Sequence, residues 1–298
     1  MITVSKVDKS FEGFQALNAL DINVKRGSIY GLVGTNGSGK TTIIKHITGV
    51  LKPDGGAITI DGEPVYDNEG IKERTGYIPD DLYFFSSYNL KEMAAFYKQL
   101  YPKWNAERFE QMITQFNLDR RRKISRFSKG MQKQAAFSLV MSTMPDVLIL
   151  DEPIDGLDPI VRKLVWKYIV DDVADREMTV LVSSHNLREL EGICDSIGIL
   201  SHGHMVLERD LDDLRSDVHK VQVALAQPNE EAYKNLNILH RETRGTVDLL
   251  IIRNKREDIE AAVNPYNPLI FDVLPLTLEE IFIYELGGVD NEVEGILF

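Results

Sequence analysis

Hydrophobic and polar residues alternate in several short runs at the start of the chain. Ile2–Val7 and Ala19–Val24 follow this pattern, which is typical of half-buried strands. Ile29–Val33 is a continuous apolar run, and Thr41–Gly49 follows it with apolar residues at helical spacing. Val147–Leu150 is a second continuous run, as expected of a central strand covered on both faces. Strands that alternate with helices predict a mainly parallel sheet with right-handed crossovers.

The spacing of apolar residues changes along the rest of the chain. From about residue 86 to 145 apolar positions recur at helical intervals, which predicts a helical subdomain. A strand is expected at Thr179–Ser183, followed by a further helix. Val218–Leu225 alternates again, and the elements predicted beyond it, including a helix at Glu230–Leu236, follow the order β-α-β-β-α-β of a ferredoxin-like module. We therefore predict an α/β domain at residues 1–215 and a small α+β accessory domain at residues 216–298.

Composition narrows the possible classes of function. The 298 residues include 46 Asp and Glu against 34 Lys and Arg, a net charge of −12, which argues against a nucleic-acid-binding surface over much of the protein. The single cysteine, Cys194, cannot form an intrachain disulfide and indicates a reducing compartment. No apolar run approaches the roughly 18 residues of a membrane span. If the protein works at a membrane, another chain is expected to supply the spanning helices.

A glycine-rich segment between a predicted strand and a predicted helix matches the pattern G-x-x-x-x-G-K-[ST]. Its residues are Gly34, Thr35, Asn36, Gly37, Ser38, Gly39, Lys40 and Thr41, and Thr42 follows. Main-chain amides in such a loop bind phosphate oxygens, and the helix N-terminus adds positive potential. Lys40 is expected to reach the β- and γ-phosphates, and Thr41 to offer a hydroxyl oxygen to Mg²⁺. The alternative is a plain glycine-rich turn, which the flanking strand and helix disfavour.

Two carboxylates follow the apolar strand Val147–Leu150 directly. In an open α/β sheet, ligands bind at the carboxyl ends of the strands. We expect Asp151 to hold Mg²⁺ and Glu152 to polarise the water that attacks the γ-phosphate. A strand followed by two acidic residues is common by itself, but about 110 residues after a phosphate-binding loop it becomes a strong indication of nucleotide hydrolysis.

Residues 1–214 resemble the ATP-binding subunits of ABC transporters, which implies a P-loop NTPase fold of the ABC cassette type. The family carries a signature at a helix N-terminus between the two motifs above, and Phe127–Met131 occupies that place. Ser128 and Gly130 match the family pattern, whereas the other three positions depart from it. A serine that only caps a helix explains Ser128 equally well, but the order and spacing of the motifs favour a role in nucleotide binding.

Smaller matches extend the resemblance. Asp155–Asp158 is similar to the family's D-loop, which touches a partner subunit, and His185 stands where the family keeps a histidine near the γ-phosphate. Phe11 lies where the family has an aromatic ring that stacks on adenine, although a hydrophobic anchor is nearly as good an interpretation. The resemblance thus implies catalytic roles for Lys40, Glu152 and His185.

One position departs from the family in a way that bears on chemistry. Asp80, in the segment Gly76–Asp81, takes the place of the glutamine of the Q-loop. A carboxylate still offers an oxygen ligand to Mg²⁺, but it adds negative charge near the phosphates of ATP. Beside it is a cluster of aromatic residues in the region where the family meets its permease, and packing inside the helical subdomain explains these rings equally well. The cluster consists of Tyr83, Phe84, Phe85 and Tyr88.

The resemblance implies ATP and Mg²⁺ as ligands and a composite site between two ATPase subunits packed head to tail, either two copies or two paralogues. It implies an integral membrane permease as partner and a cytoplasmic location on the inner face of the membrane, with no nucleic acid bound. Within the family, the pattern is most similar to bacterial exporters of peptides and antibiotics with a separately encoded permease, such as the phenol-soluble modulin exporters. Two alternatives remain, namely an ABC ATPase that acts on ribosomes or DNA and a regulatory module with little turnover.

Overall fold

A computed structural model describes residues 1–213, 218–227 and 229–285 of the chain. Its strands are β1 (Ile2–Phe11), β2 (Phe14–Val24), β3 (Ile29–Val33), β4 (Gly55–Ile60), β5 (Glu63–Pro64), β6 (Thr75–Ile78), β7 (Val147–Asp151), β8 (Thr179–Ser184), β9 (Ser196–Ser201), β10 (His204–Asp210), β11 (Val218–Ala224), β12 (Ile238–Arg244), β13 (Val247–Arg253) and β14 (Ile270–Leu274). Its helices are α1 (Lys40–Ile47), α2 (Glu69–Glu73), α3 (Leu90–Leu100), α4 (Ala106–Gln115), α5 (Lys129–Met141), α6 (Pro159–Arg176), α7 (Arg256–Val263) and α8 (Leu278–Glu285).

The chain divides into two compact units. The first comprises Met1–His185 and Gly192–Glu208, and the second comprises Asn186–Glu191 together with the chain from Arg209 onward. The short segment Asn186–Glu191 therefore belongs to the second unit although it lies within the sequence of the first. The domain boundary predicted between residues 215 and 216 falls outside the described residues.

A six-stranded sheet of order β10-β9-β3-β8-β7-β6 forms the centre of the first unit. β3 lies parallel to β8 and β9, and β7 lies parallel to β6 and β8, as the alternation of strands and helices predicts. Every residue of β3, β7 and β8 is buried, which explains why these strands are mainly apolar. Parallel pairing brings the carboxyl ends of β3, β7 and β8 to one edge of the sheet.

A second sheet of the first unit is antiparallel, with the order β2-β1-β4-β5. Its alternating residues, such as Ile2 and Leu20, are buried in the same core as Ile43 and Ile47 of α1 and Ile149 of β7. The period of two in β1 and β2 thus buries one face of the sheet against the helix that follows the glycine-rich loop.

The predicted helical subdomain contains three helices, each with a side-chain cap at its N-terminus. The Asn89 side chain accepts from the Glu92 amide, and the Glu92 carboxylate accepts from the Asn89 amide, a reciprocal capping box that fixes the start of α3. Asn105 caps α4, and the Ser128 hydroxyl caps α5 by accepting from the Met131 amide at 3.2 Å. The start of α5 is therefore fixed by the serine of the predicted signature.

The second unit has an antiparallel sheet of order β12-β13-β11-β14. This order is the one that a β-α-β-β-α-β chain takes in a ferredoxin-like module. The helix predicted at Glu230–Leu236 is only a 3₁₀ turn over Glu230–Tyr233. A segment of seven residues gains few helical hydrogen bonds to offset the unfavourable free energy of helix nucleation. The helix predicted after β8 is likewise a 3₁₀ turn, Leu187–Glu189, started by the Asn186 side chain.

In the ranges that the structure describes, no helix has the length and apolar character needed to cross a bilayer.

Candidate functional site

The glycine-rich loop joins the end of β3 to the start of α1. Gly37 and Gly39 have positive φ angles of 85° and 110°, which only glycine adopts without strain, and Gly39 is the residue that immediately precedes the helix. Gly34 is needed for a different reason, because a Cβ there would collide with the Leu200 carbonyl and the Ser38 hydroxyl. The glycines of the motif therefore set the path of the loop and its close packing on β9.

Lys40 points back into this loop. Its ammonium donates to the Gly34 carbonyl at 2.6 Å and the Thr35 carbonyl at 3.3 Å, and it lies 3.4 Å from Oε1 of Glu152. The side chain is only 6% exposed. A buried cation held mainly by main-chain carbonyls is a strong binding group for an anion, because a phosphate oxygen is a better partner for it than a neutral carbonyl.

Asp151 and Glu152 end β7 beside Ser183 of β8. The Ser183 hydroxyl donates to Oδ1 of Asp151 at 2.6 Å, and the Glu152 amide donates to the same hydroxyl oxygen at 3.2 Å. Asp151 is 1% exposed. Ser183 thus orients both acidic residues, through the side chain of one and the main chain of the other, and sequence analysis did not assign it this role.

His185 follows β8 and contacts the second oxygen of Glu152. Its Nδ1 lies 3.0 Å from Oε2 of Glu152, and its amide donates to the same oxygen at 3.3 Å. Glu152 therefore touches Lys40 with one carboxylate oxygen and His185 with the other. The three residues to which the resemblance gave catalytic roles lie together at the carboxyl edge of the sheet.

Asp155 also reaches this edge. Ligand atoms of Asp155, Glu152 and His185 all lie within 4.8 Å of one another. The resemblance assigned the D-loop to contacts with a partner subunit, whereas the structure also places Asp155 beside the candidate base of its own chain. Two carboxylates and an imidazole this close could together bind a cation.

Asp80 follows β6 and is exposed. One carboxylate oxygen lies 3.4 Å from the ammonium of Lys133 on α5, and this ammonium also donates to the main-chain carbonyl of Glu152 at 2.7 Å. The charge that Asp80 adds therefore faces a cation that sequence analysis did not identify. Lys133 lies 53 residues from Asp80, and no local motif marks it.

The predicted signature begins α5, close to the D-loop. A Cβ on Gly130 would lie 3.2 Å from the Gly156 carbonyl, closer than most real Cβ contacts. Gly130 therefore allows the start of α5 to approach the loop that follows Glu152. A cavity of about 350 Å³ is lined by residues of the Q-loop, α5 and the D-loop. Its lining consists of Asp80, Asp81, Leu82, Lys129, Gln132, Lys133, Asp155 and Gly156.

Other predicted residues lie outside the cluster that Glu152 forms with Lys40 and His185 in the described part of the chain. Phe11 is 42% exposed at the end of β1, and the Lys9 ammonium lies 5.4 Å from its ring centroid. Thr41 is exposed and Thr42 half-buried in the first turn of α1, and Asn36 is exposed at the tip of the loop. The ring of Phe11 is thus free to stack on a flat ligand, and the Thr41 hydroxyl is open to one.

The donor set fits ATP with Mg²⁺. The buried Ser38 hydroxyl has no hydrogen-bond partner among the described residues, as expected of a group that a phosphate oxygen completes. Asp151 and Thr41 supply the carboxylate and hydroxyl oxygens that Mg²⁺ prefers. Burial, with a smaller contribution from the charges of Asp151 and Asp80, raises the pKa of Tyr77 to about 12.

The aromatic cluster beside Asp80 is partly exposed. Tyr83 is 83% exposed, while the Phe85 ring packs on Tyr88 and Phe96 at centroid distances of 5.0 and 5.3 Å. The cluster therefore combines the two predicted arrangements, because the Phe85 ring packs on α3 within the helical subdomain while the Tyr83 ring is exposed.

Known proteins that are similar to this chain are named as ATP-binding proteins, in agreement with the nucleotide site described above. The ABC transporter family model matches residues 17–155. The ABC transporter ATP-binding protein YtrB of Bacillus subtilis is 30% identical over 97% of this chain and 99% of its own length. The bacitracin transport ATP-binding protein BcrA of Bacillus licheniformis is 32% identical over 72% of this chain and 71% of its own.

A solved structure described as the ATP-binding subunit of an ABC transporter is 29% identical, with a TM-score of 0.67. It covers 72% of this chain, and the match spans 92% of that structure. The sequence and the fold thus point to the same group of proteins. The chain belongs to the ABC transporter ATP-binding proteins and is an ATPase of that family.

Proposed function

We propose that the chain hydrolyses ATP between its own glycine-rich loop and the signature of a second ATPase subunit, and so powers an exporter of peptides, antibiotics or other amphipathic compounds. The observation that carries the hydrolytic part is the contact of Glu152 with both Lys40 and His185. A base, a phosphate-binding cation and a histidine that meet at a nucleotide loop suit attack of water on a γ-phosphate.

Each residue has a distinct task in this proposal. Glu152 accepts the proton of the attacking water, and Lys40 exchanges its carbonyl partners for oxygens of the β- and γ-phosphates. His185 holds the Glu152 carboxylate and binds the γ-phosphate. Bound Mg²⁺, held by Thr41, Asp151 and Asp80, would offset the charge of the phosphates. The products are ADP and inorganic phosphate.

The second subunit completes the site. Ser128 and Gly130 lie at the start of α5, where free amides and the helix dipole favour an anion, and they would contact the ATP bound to the partner's loop. Phe11 would stack on the adenine of the ATP in its own subunit. ATP binding closes the dimer, and loss of the γ-phosphate lets it open.

The permease is the remaining partner. The exposed rings of Tyr83 and Phe85 are suited to docking against helices of a separate membrane protein, which would hold the chain on the inner face of the membrane. The similarity to a bacitracin transport protein supports export of an amphipathic cargo.

Replacing Glu152 with glutamine tests the hydrolytic part. Glu152→Gln should lower kcat for ATP by about 100-fold or more, because the amide cannot accept the proton, while ATP still binds to the loop. Phosphate release and the affinity for a fluorescent ATP analogue are the measurements. The control is Glu110→Gln, at an exposed glutamate that pairs with Arg120, and it should leave kcat unchanged. Turnover at the wild-type rate in Glu152→Gln would refute Glu152 as the base.

Purification from membranes tests the partner. The full chain should co-purify with a multispanning protein, and its ATPase rate should rise in that complex. Co-sedimentation with ribosomes, with none of the chain in the membrane fraction, would favour the alternative of an ABC ATPase that acts in translation.

A further inference from the structure

Lys133 on α5 holds the main chain of the candidate catalytic base. Its ammonium donates to the Glu152 carbonyl at 2.7 Å, a short charge-assisted hydrogen bond, and its side chain is 12% exposed. The same ammonium also contacts a carboxylate oxygen of Asp80, at 3.4 Å. One largely enclosed cation therefore connects the signature helix, the residue at the Q-loop glutamine position and the peptide group of Glu152.

The backbone of Glu152 requires such support. Its φ is +48°, a left-handed conformation that costs a residue with a side chain free energy and persists only where surrounding contacts enforce it. Those contacts lie on both sides of the residue, since its amide donates to Ser183 and its carbonyl accepts from Lys133. This conformation directs the side chain so that its two oxygens meet Lys40 and His185.

Asp80 competes for the same cation. It is 59% exposed and its contact with Lys133 is long, so the pair itself contributes little stability. A neutral glutamine in its place would leave the Lys133 charge to the Glu152 carbonyl alone. The carboxylate at position 80 therefore divides the attraction of Lys133 between the Q-loop and the base.

We propose that Lys133 is a positioning residue for hydrolysis, which fixes the main chain of Glu152 and thereby the direction of its carboxylate, and that Asp80 modulates this effect through its charge. The inference rests on the proposed role of Glu152 as the base. It assigns no contact between Lys133 and ATP, so Lys133 should influence the rate of hydrolysis and leave the affinity for ATP unchanged.

The test uses the full chain with Lys133 replaced by Met, which keeps the length and removes the charge, and by Arg, which keeps the charge. Lys133→Met should lower kcat about tenfold, because small errors in the placement of a catalytic group are costly. Its Kd for a fluorescent ATP analogue should stay within about twofold of wild type. Lys133→Arg should recover kcat to within about threefold. Lys103→Met, at a lysine that pairs with Asp146 on the surface, is the control and should match wild type.

Asp80→Asn supplies the second arm. Alone it should change kcat measurably, and in the Lys133→Met background the change should be smaller, since the part that acts through the cation is gone and only the part that acts through Mg²⁺ remains. If Lys133→Met does not fold, Lys133→Gln, which retains a neutral donor, should give an intermediate kcat with unchanged affinity for ATP.

Three results would overturn the proposal: kcat within twofold of wild type in Lys133→Met, a loss that appears equally in ATP affinity, or an Asp80→Asn effect that is the same with and without Lys133. These results are distinct from failure of the proposed function. If Glu152→Gln is inactive and Lys133→Met is normal, only the role of Lys133 is refuted. If Glu152→Gln hydrolyses ATP normally, Glu152 is not the base.

Discussion

Both units of the molecule gather acidic residues around one basic residue, but the contacts differ in kind. At the nucleotide edge of the first unit, Lys40 is held by two main-chain carbonyls and lies 3.4 Å from the nearest carboxylate oxygen. In the second unit, Arg241 contacts Glu230 at 2.8 Å and Asp248 at 2.9 Å. The charge of Lys40 is therefore held mainly by neutral oxygen atoms, whereas the charge of Arg241 is paired with two carboxylates at hydrogen-bond distance.

The surroundings of Asp248 show how complete the second cluster is. Its carboxylate accepts hydrogen bonds from Arg241, Tyr233 and Thr243. Burial alone would raise the pKa of Asp248, but these hydrogen bonds outweigh it and hold the pKa below its ordinary value. A satisfied cluster of this kind stabilises a fold, whereas a cation held mainly by neutral carbonyls is ready to bind a phosphate.

Removing Lys40 should have the largest effect. Lys40→Ala should weaken ATP binding by about 100-fold or more, because the charge that meets the phosphates is lost. Titration with a fluorescent ATP analogue measures this. Arg241→Met is the contrasting variant and should bind ATP with wild-type affinity. A folded Lys40→Ala chain that holds ATP as tightly as wild type would show that the nucleotide does not use this loop.

Arg241→Met should instead destabilise the second unit by about 1–3 kcal/mol, since Asp248 is left partly buried without its cation. Hydrogen exchange of β13 amides in the native state reports this locally. Arg244→Met is the matched control, because Arg244 is 75% exposed and pairs with an exposed glutamate, and it should change little. Equal exchange rates in the two variants would mean that the Arg241 cluster contributes no stability.

The smallest effect concerns alkaline pH and compares two tyrosines whose pKa values are raised. In the first unit, burial and then the neighbouring Tyr101 raise the pKa of Tyr97 to about 12. In the second unit, burial and then the hydrogen bond to Asp248 raise the pKa of Tyr233 above its ordinary range. An unfolded tyrosine ionises near pH 10, so the stability that each neutral ring contributes is intact below pH 10 and is lost as the pH rises toward the folded pKa.

Tyr97→Phe should therefore flatten the fall in the free energy of unfolding between pH 10 and 12 by about 1–2 kcal/mol. Urea titrations at several pH values measure the slope. An unchanged slope in Tyr97→Phe would mean that the Tyr97 hydroxyl ionises at the same pH in the folded and the unfolded chain.

Residues that are neighbours in the sequence were predictable, and residues that meet across elements were not. The loop from Gly34 to Thr41 and the acidic pair after β7 follow from local spacing, and parallel pairing of the strands brings them to one edge. Lys133 and Ser183 carry no motif, because their importance arises only when α5 and β8 pack beside Glu152. The segments 187–189 and 230–233 are 3₁₀ turns, and the prediction of helices there was wrong. A few residues at helical spacing do not show whether a helix is long enough to offset the unfavourable free energy of nucleation.

The segment Asn186–Glu191 has a practical consequence for anyone who isolates the ATPase part of this chain. Arg188 is held by Glu279, and the Glu191 carboxylate accepts from the Leu278 amide. Cutting the chain after β10 would remove both partners and leave a charged stretch unsupported immediately after His185. A low rate of ATP turnover in such a shortened protein would then reflect the loss of these contacts next to His185, and it would not represent the activity of the intact subunit.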